Sequence, residues 1–562
     1  MNKNISNNIA FFLLSIVIAV FLLIEIIFNI TPPISRDALI HHLAIPKLWL
    51  LNGGFVNVPW AEFTYNPMNI NLLYLVCLYF NNDILPKFIH FAFGLGTGLM
   101  IYLYLLFKLG RNWGILGLAV FLTTPIVVWL CTSAYVDLGM TFFTTCSVLL
   151  FIKWRDSEYG HFKWLVYSSL CMGIAVGSKY NALIVWVFLN LIIVQSHAHD
   201  TKRQLSSLKY GAVFFIITII VASPWFIKNY ILTGNPFYPL FDSFFKLIHE
   251  QPVQELISNS LVEKKTDGPI GFFRMREVMY GETLLETLLI PLRMFFQGDD
   301  NSYRYFQGVL NPILILFAPF ILLNREYIRD KLYFAGFCIF FIFISYFTTL
   351  KQVRYILPVI PFLVILSVFG IKNLMEILNK DSLLYFKEMK SRTANLFKVL
   401  LYVVIVSLFM QNILYLKKRI DIIKPFSYLL KDENREEFLK RNLKYYYAVE
   451  YVNTKLPVDS KIFLMFLGRR SYYLDRPFRH EPSFGRSTLS NLVDKSKDIE
   501  GFKKATRSIG TTHILMRNAL ADKYLHDMYP KEHITRLMDK IRNNWKLVYQ
   551  GEGYSVFDIQ IK

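Results

Sequence analysis

The chain has 562 residues, of which 54% are hydrophobic and 18% are charged, whereas soluble domains carry about 25% charged residues. Its mean hydropathy of +0.36 argues against a soluble enzyme. The net charge of +20 does not indicate nucleic acid, because basic residues of membrane proteins concentrate in loops near anionic lipid. The five cysteines lie in apolar segments without CxxC spacing, so we expect neither disulfides nor a cysteine metal site.

Apolar segments recur from residue 9 to residue 416, and most are long enough to cross a hydrocarbon core as a helix. Segment 66–80 is short and contains Asn69 and Asn71, so we predict an interfacial or re-entrant helix there. With it excluded, the basic loops near Lys108, Lys153 and Arg325 fall on one side, which the positive-inside rule makes the cytoplasm. The predicted spans are residues 9–30, 85–107, 115–132, 137–152, 164–178, 181–196, 210–230, 308–323, 332–348, 354–371 and 396–416.

This topology predicts a polytopic α-helical membrane protein of about 11 spanning helices, with a cytoplasmic N-terminus and an extracytoplasmic C-terminus. Residues 1–416 form the transmembrane domain, with outer loops at 31–67 and 232–307. Strand-like runs at 461–466, 513–516 and 554–559, together with charged helix-like stretches such as 435–453, predict a small α/β domain over residues 417–562. We expect His513 to be a strand residue.

The first outer loop contains Asp37, which is followed by His41 and His42 within about one helical turn. A carboxylate at this position can act as a general base toward a hydroxyl or amine; alternatively, it caps the next helix. The two histidines could bind a metal with Asp37, although adjacent residues point in different directions on a helix. Glu62 and Tyr65 can face the same outer cavity, or serve only as interfacial anchors.

Asp137 ends the segment Thr132-Ser-Ala-Tyr-Val-Asp137 and places a second carboxylate on the outer side. Two such acids can position an acceptor or hold a divalent cation, and capping is again the alternative. Basic residues at outer helix ends suit a lipid-linked phosphate, although each alone can snorkel to the interface. These residues are Lys179, Lys228, Arg304, Lys351 and Arg354.

Together these motifs resemble those of the integral-membrane GT-C glycosyltransferases that use polyprenyl-phosphate sugars, especially the bacterial branch similar to protein O-mannosyltransferases and lipid A aminoarabinose transferases. The matching segments are Arg36-Asp37-Ala-Leu-Ile-His-His-Leu, Ala134-Tyr-Val-Asp137-Leu, Ser223-Pro-Trp-Phe-Ile-Lys-Asn229, Thr233-Gly-Asn-Pro-Phe-Tyr-Pro239 and Arg354-Tyr-Ile-Leu-Pro358.

The resemblance implies a GT-C fold with interfacial helices in the first outer loop. It implies Asp37 as catalytic base, Asp137 as a residue that shapes the acceptor site, and a bacterial inner membrane as location. The chain also departs from the pattern. Ala38 follows Asp37 where protein O-mannosyltransferases have a paired acid and oligosaccharyltransferases have a metal-binding pair, and Asn66 precedes Pro67 where the aminoarabinose transferases have lysine. A divalent cation therefore stays an open possibility.

The expected function is inverting transfer of a sugar from a polyprenyl-phosphate donor to a lipid, glycan or protein acceptor, with His42, Glu62, Tyr65 and the outer cations as substrate-binding residues. The expected partners are donor, acceptor and membrane lipids, and no nucleic acid. A lipid or sugar transporter is an alternative, but it predicts internal repeats that the sequence does not show. A polysaccharide polymerase or ligase is another, because loop 232–307 contains Arg274, Arg276 and Arg293.

Overall fold

The computed structural model describes residues 2–58, 60–248, 269–302, 306–348, 352–379, 391–481 and 487–560. The chain divides into two units. Unit 1 comprises Met1–Ile30, Pro67–Ile70 and Lys87–Pro425, and unit 2 comprises Thr31–Asn66, Asn71–Pro86 and Phe426–Lys562. Unit 2 therefore joins most of the first outer loop to the C-terminal region.

Helices dominate the first 430 residues of the described chain. In chain order they are α1 Asn2–Ile30, α2 Ala44–Leu51, α3 Asn69–Tyr79, α4 Leu85–Leu109, α5 Arg111–Thr123, α6 Pro125–Cys131, α7 Asp137–Asp156, α8 Lys163–Val176, α9 Ala182–Thr201, α10 Gln204–Thr233, α11 Asp242–Ile248, α12 Pro269–Tyr280, α13 Leu284–Leu288, α14 Ile290–Arg293, α15 Ile313–Leu316, α16 Ile328–Thr348, α17 Ile360–Asn379, α18 Ser391–Ile423 and α19 Pro425–Leu429. A π-helical turn covers Ala38–His42, and 3-10 helices cover Glu62–Tyr65, Ala318–Leu323 and Val353–Val359.

Six of the described helices are long and apolar enough to cross a membrane, or seven if a bent pair counts as one span. They are Asn8–Ile30, Leu85–Leu109, Ala182–Thr201, Gln204–Thr233, Val353–Leu378 and Asn395–Ile423, and the bent pair is α5 with α6. The sequence predicts about 11 spans.

The other five predicted spans are not covered by a single described helix that is long and apolar enough to cross a membrane, for local reasons. The α5–α6 pair bends by 68°, where Pro125 opens α6 and ends the preceding helix. Helix α8 has 14 residues, and α7 and α16 carry charged residues in their terminal turns. Helix α3, with 11 residues, is too short to span a bilayer, as its segment predicts.

The C-terminal part of unit 2 is an α/β fold, as predicted. Its helices are α20 Arg435–Asn442, α21 Tyr446–Lys455, α22 Thr488–Lys495, α23 Ile499–Ser508, α24 Asn518–Met528 and α25 Lys531–Asn544. Its strands are β1 Ile462–Met465, β2 Phe478–His480, β3 His513–Arg517, β4 Lys546–Gly551 and β5 Tyr554–Asp558. They form one sheet in the order β2-β1-β3-β5-β4.

Strand β1 is parallel to both β2 and β3, whereas β5 is antiparallel to β3 and β4. Apolar side chains from strands and helices, among them Phe463, Leu492, Phe502 and Leu537, form the core of this fold. The predicted strands at 461–466, 513–516 and 554–559 are confirmed, and His513 lies in β3. The sequence does not predict β2, which has 3 residues, or β4, whose register shifts between Leu547 and Tyr549.

Candidate functional site

Asp137 is the first residue of α7 and is fully buried in unit 1. The backbone N–H of Leu138 donates to Nε2 of His90 at 2.9 Å, and Nδ1 of His90 donates to the carbonyls of Leu130 and Ser133 at 2.9 and 2.8 Å. Carbonyl oxygens can only accept hydrogen bonds, so Nδ1 of His90 must carry a proton. Nε2 accepts a hydrogen bond and therefore carries none, so the His90 ring is neutral. His90 thus satisfies a free N–H of the first helical turn, and the Asp137 carboxylate is not needed as a cap.

The Asp137 carboxylate instead binds Lys179. Lys179 Nζ donates to Oδ1 of Asp137 at 2.7 Å, while Oδ2 of Asp137 is buried and accepts no hydrogen bond from the described residues. Lys179 lies in the turn between α8 and α9. That turn requires Gly177, because a Cβ there would lie 2.2 Å from Nδ2 of Asn69.

Arg354 is a second cation beside Asp137. It lies in the 3-10 helix Val353–Val359, is 8% exposed, and interacts electrostatically with Asp137. Its guanidinium lies 5.2 Å from the ring centre of Tyr135 and 5.3 Å from that of Tyr355, and Lys179 Nζ lies 5.2 Å from the same Tyr355 ring. We call Asp137, Lys179 and Arg354 the Asp137 cluster. It holds two cations and one anion, and the structure thus brings together three residues that the sequence predicts from separate segments.

The other predicted cations are placed differently. Lys228 is half-buried on α10, with Nζ 4.9 Å from the ring centre of Trp225. Arg304 and Lys351 lie outside the described residues. Two of the three loop arginines of the polymerase alternative contact one acid: Arg276 binds Glu282 through two bonds of 2.6 and 2.7 Å, and Arg293 lies 3.2 Å from it, whereas Arg274 is exposed. These pairings weaken that alternative.

Asp37 lies in unit 2, directly before the π-helical turn Ala38–His42. The turn closes through a hydrogen bond from the N–H of Leu43 to the carbonyl of Ala38 at 2.9 Å. π-Helical turns are rare and recur at functional sites. The Asp37 side chain makes no capping hydrogen bond to this turn, so the capping alternative is wrong for Asp37.

The two histidines of this turn lie against each other, contrary to the expectation that they point apart. Their ring centres are 4.0 Å apart, and His41 stacks on Phe63 at 4.6 Å. Asn71 Nδ2 lies 3.2 Å from Nδ1 of His42 and donates to the His42 carbonyl at 3.0 Å. Among the described residues, no group of three or more His, Cys, Asp or Glu side chains is arranged to hold a metal ion.

Glu62 and Tyr65 lie in the 3-10 helix of the same unit. Arg469 Nη1 lies 3.5 Å from Oε2 of Glu62, and the Tyr65 hydroxyl donates to Oδ1 of Asn57 at 2.6 Å. Nearby, the His480 ring packs edge-on against Trp60 at 4.8 Å, and burial lowers the pKa of His480 to about 4. His480 is therefore neutral near pH 7. Glu62 is paired with a residue of the C-terminal region, which its sequence position does not reveal.

Sequence reasoning missed His90 and Tyr355 in unit 1 and Arg469 in unit 2. A histidine inside an otherwise apolar helix is a signal that could have identified His90, since polar side chains within spans usually face the protein interior. Tyr355 follows Arg354 directly, but its position between two cations depends on the fold. Arg469 shows no motif at all.

Comparison with known families supports the fold. The family model described as dolichyl-phosphate-mannose-protein mannosyltransferase matches residues 61–245. This range contains Glu62, Asp137, Lys179 and Lys228 and begins after Asp37. No curated protein sequence matches this chain significantly.

Solved structures share the architecture over nearly the whole chain. The apo structure of ArnT from Cupriavidus metallidurans has a TM-score of 0.56 at 14% identity and covers 97% of both chains. The same protein bound to undecaprenyl phosphate has a TM-score of 0.52 at 13% identity, again covering 97% of both. The oligosaccharyltransferase AglB from Archaeoglobus fulgidus, in complex with an inhibitory peptide and a dolichol-phosphate, has a TM-score of 0.51 at 10% identity and covers 97% of this chain and 74% of AglB. The chain has the GT-C fold.

The predicted resemblance is confirmed by these matches, and so is the class, a membrane glycosyltransferase. The identities of 10–14% establish the fold, whereas the class rests also on the family model. Apolar helices and these relatives together support a multi-pass membrane protein.

Proposed function

We propose that this GT-C glycosyltransferase moves a sugar from a polyprenyl-phosphate donor to a lipid, glycan or protein acceptor, with inversion at the anomeric carbon, on the extracytoplasmic face of a bacterial inner membrane. The observation that carries the proposal is the Asp137 cluster, in which two cations accompany one buried carboxylate. The phosphate of a polyprenyl-phosphate sugar is a diester with one negative charge, and two adjacent cations can bind its oxygens. The ArnT structure bound to undecaprenyl phosphate supports this donor class by analogy.

The Asp137 cluster binds the phosphate of the donor. Lysine carries three donors, and Lys179 uses one of them toward Asp137, so others are available to phosphate oxygens. Arg354 supplies a planar group that can bind two phosphate oxygens at once. Asp137 holds Lys179 in place and contributes to the acceptor site through that contact. Charge on the departing polyprenyl phosphate develops in the transition state, and preorganised cations stabilise it there.

Asp37 is the proposed base. In a single displacement the acceptor heteroatom forms its bond to the anomeric carbon while the bond to the phosphate oxygen breaks. The acceptor proton passes to the Asp37 carboxylate, and polyprenyl phosphate leaves as an anion that needs no protonation. His42, Glu62 and Tyr65 contribute to substrate binding in unit 2. No step depends on a metal ion.

The test uses purified protein in nanodiscs with a panel of polyprenyl-phosphate sugars and candidate acceptors, and follows release of polyprenyl phosphate by mass spectrometry. We expect Asp37→Asn to lower the rate by about 10²- to 10⁴-fold, the range for loss of a general base, while donor binding persists. Asp459→Asn, which alters an exposed acid of the same unit, is the matched control. Equal rates in wild type and Asp37→Asn would remove Asp37 from this role, and flux of lipid or sugar without release would favour the transporter.

A further inference from the structure

The π-helical turn that directly follows Asp37 is bound by one stretch of the C-terminal region, residues 469–475, here called the 469–475 segment. The backbone N–H groups of Ser471 and Tyr472 both donate to the carbonyl of Leu39, at 3.1 and 3.2 Å. Leu39 lies two residues after Asp37 and is fully buried. The turn is thus fixed through its backbone by residues more than 400 positions away.

Lys47, in the helix that follows the turn, adds a second attachment. Its Nζ donates to the carbonyls of Tyr472 and Leu474 at 2.9 and 3.2 Å and binds Oδ1 of Asp475 at 2.8 Å. All three donors of the ammonium group are used. These contacts all go to the 469–475 segment, so Lys47 ties α2 to it at a single point.

Tyr473 attaches the chain on the other side of Asp37. Its hydroxyl donates to the carbonyl of Pro33 at 2.7 Å. The neighbouring Tyr472 hydroxyl donates to Oδ2 of Asp83 at 3.3 Å, and Asp83 is also hydrogen-bonded by Arg435. The 469–475 segment is therefore itself anchored, through the ion pair between Asp83 in the turn before α4 and Arg435 of α20.

The segment comes from the part of the sheet where α/β folds place functional loops. It follows β1, whose neighbours β2 and β3 are both parallel to it, and ligand-binding loops of such sheets lie at the carboxyl ends of the strands. Phe466 and Arg469 have φ angles of 60° and 63°, which non-glycine residues adopt at a cost and often near functional sites. Arg469 lies 3.5 Å from Glu62, a further contact to the first outer loop.

We propose that the 469–475 segment is a clamp that positions Asp37, so that the C-terminal domain sets the rate of sugar transfer without contacting the reacting atoms. The inference rests on the proposed role of Asp37 as base. Lys47 and Tyr473 are its positioning residues. A small displacement of a reacting group costs a large factor in rate, so releasing the turn lowers kcat while leaving the donor phosphate site in unit 1 unaltered.

The test compares Lys47→Met, Tyr473→Phe and their combination with Lys47→Arg, all in the full-length protein in nanodiscs. The controls are Lys444→Met, which removes a surface pair with Glu552, and Tyr451→Phe, whose ring packs on Tyr549. Three quantities are measured: kcat and donor KM, both from polyprenyl-phosphate release, and hydrogen–deuterium exchange of the backbone amides of residues 38–47.

We expect the combined variant to lose about 10- to 100-fold in kcat with donor KM unchanged, and to exchange the amides of residues 38–47 faster than wild type. Lys47→Arg, which keeps the charge and the donors, should recover most of the rate, and the controls should behave as wild type. Unchanged exchange in the combined variant would overturn the clamp whatever the activity. If the combined variant keeps a wild-type kcat while Asp37→Asn is inactive, the clamp has no catalytic importance. If Asp37→Asn is active while the combined variant exchanges its amides faster than wild type, Asp37 is not the base but the clamp still holds the turn.

Discussion

The two ends of α7 carry two charged clusters that differ in their numbers of cations and acids. At its N-terminus, the Asp137 cluster contains two cations and one acid. At its C-terminus, Arg155 is hydrogen-bonded to Asp330 and Asp156, and Lys108 lies 3.4 Å from Asp330 and 3.6 Å from Asp156. We call these four residues the Asp330 cluster.

The Asp330 cluster is balanced, with two cations and two acids, and Tyr104 donates a further hydrogen bond to Asp330 at 2.7 Å. It links α4, α7 and α16. The Asp330 cluster pairs its two cations with two acids, whereas the Asp137 cluster places two cations beside a single acid. We therefore assign packing to the Asp330 cluster and donor binding to the Asp137 cluster, and the following variants test that assignment.

Asp330→Asn should have the largest effect on stability. Arg155 is 6% exposed and Asp330 4% exposed in their side chains, and removing one partner of a buried ion pair costs about 3 kcal/mol or more. We expect a lower midpoint of thermal unfolding in detergent, with donor affinity of the folded protein unchanged. A loss of donor affinity at unchanged stability would reverse the assignment of the two clusters.

Arg354→Gln should mainly weaken binding of the donor phosphate. A hydrogen bond to a charged group contributes about 1.5–3 kcal/mol, which corresponds to roughly 10- to 100-fold in the dissociation constant. Binding of polyprenyl phosphate, measured by native mass spectrometry over a concentration series, would show this change. Wild-type affinity in a folded Arg354→Gln variant would remove the arginine from the phosphate site.

Lys108→Met should have the smallest effect. The Lys108 side chain is 24% exposed and lies 3.4 Å or more from both acids, and such partly exposed pairs contribute about 1 kcal/mol or less. We expect a slight decrease in unfolding temperature, measured beside Asp330→Asn, and no change in turnover. A decrease as large as that of Asp330→Asn would mean that Lys108 is a main support of the cluster.

The sequence predicts much of this comparison. Breaks in the positive-inside pattern identify Lys179 and Arg354, and the same rule groups Lys108 and Arg155 on one side, where the structure shows them around Asp330. The pattern cannot reveal that His90 replaces Asp137 as the cap of α7, because that exchange depends on the packing of α4 against the turn before α7.

Unit 2 shows where sequence reasoning stops. The local pattern identifies Asp37 and the strands β1, β3 and β5, since each is set by neighbouring residues. The attachment of Leu39 and Lys47 to the 469–475 segment joins residues more than 400 positions apart, and no periodicity encodes such a contact. Hydropathy alone also does not register the bend at Pro125 or the short length of α8.

The most direct test of donor binding at the Asp137 cluster compares the Asp137→Asn/Lys179→Met double variant with Lys108→Met. The double variant removes one acid and one cation, so the net charge of the cluster is unchanged and no buried carboxylate is left alone. The dissociation constant of polyprenyl phosphate should be about 10-fold higher for the double variant than for wild type, since one charged hydrogen bond is lost. For Lys108→Met it should equal that of wild type. Equal dissociation constants in all three proteins would contradict the account.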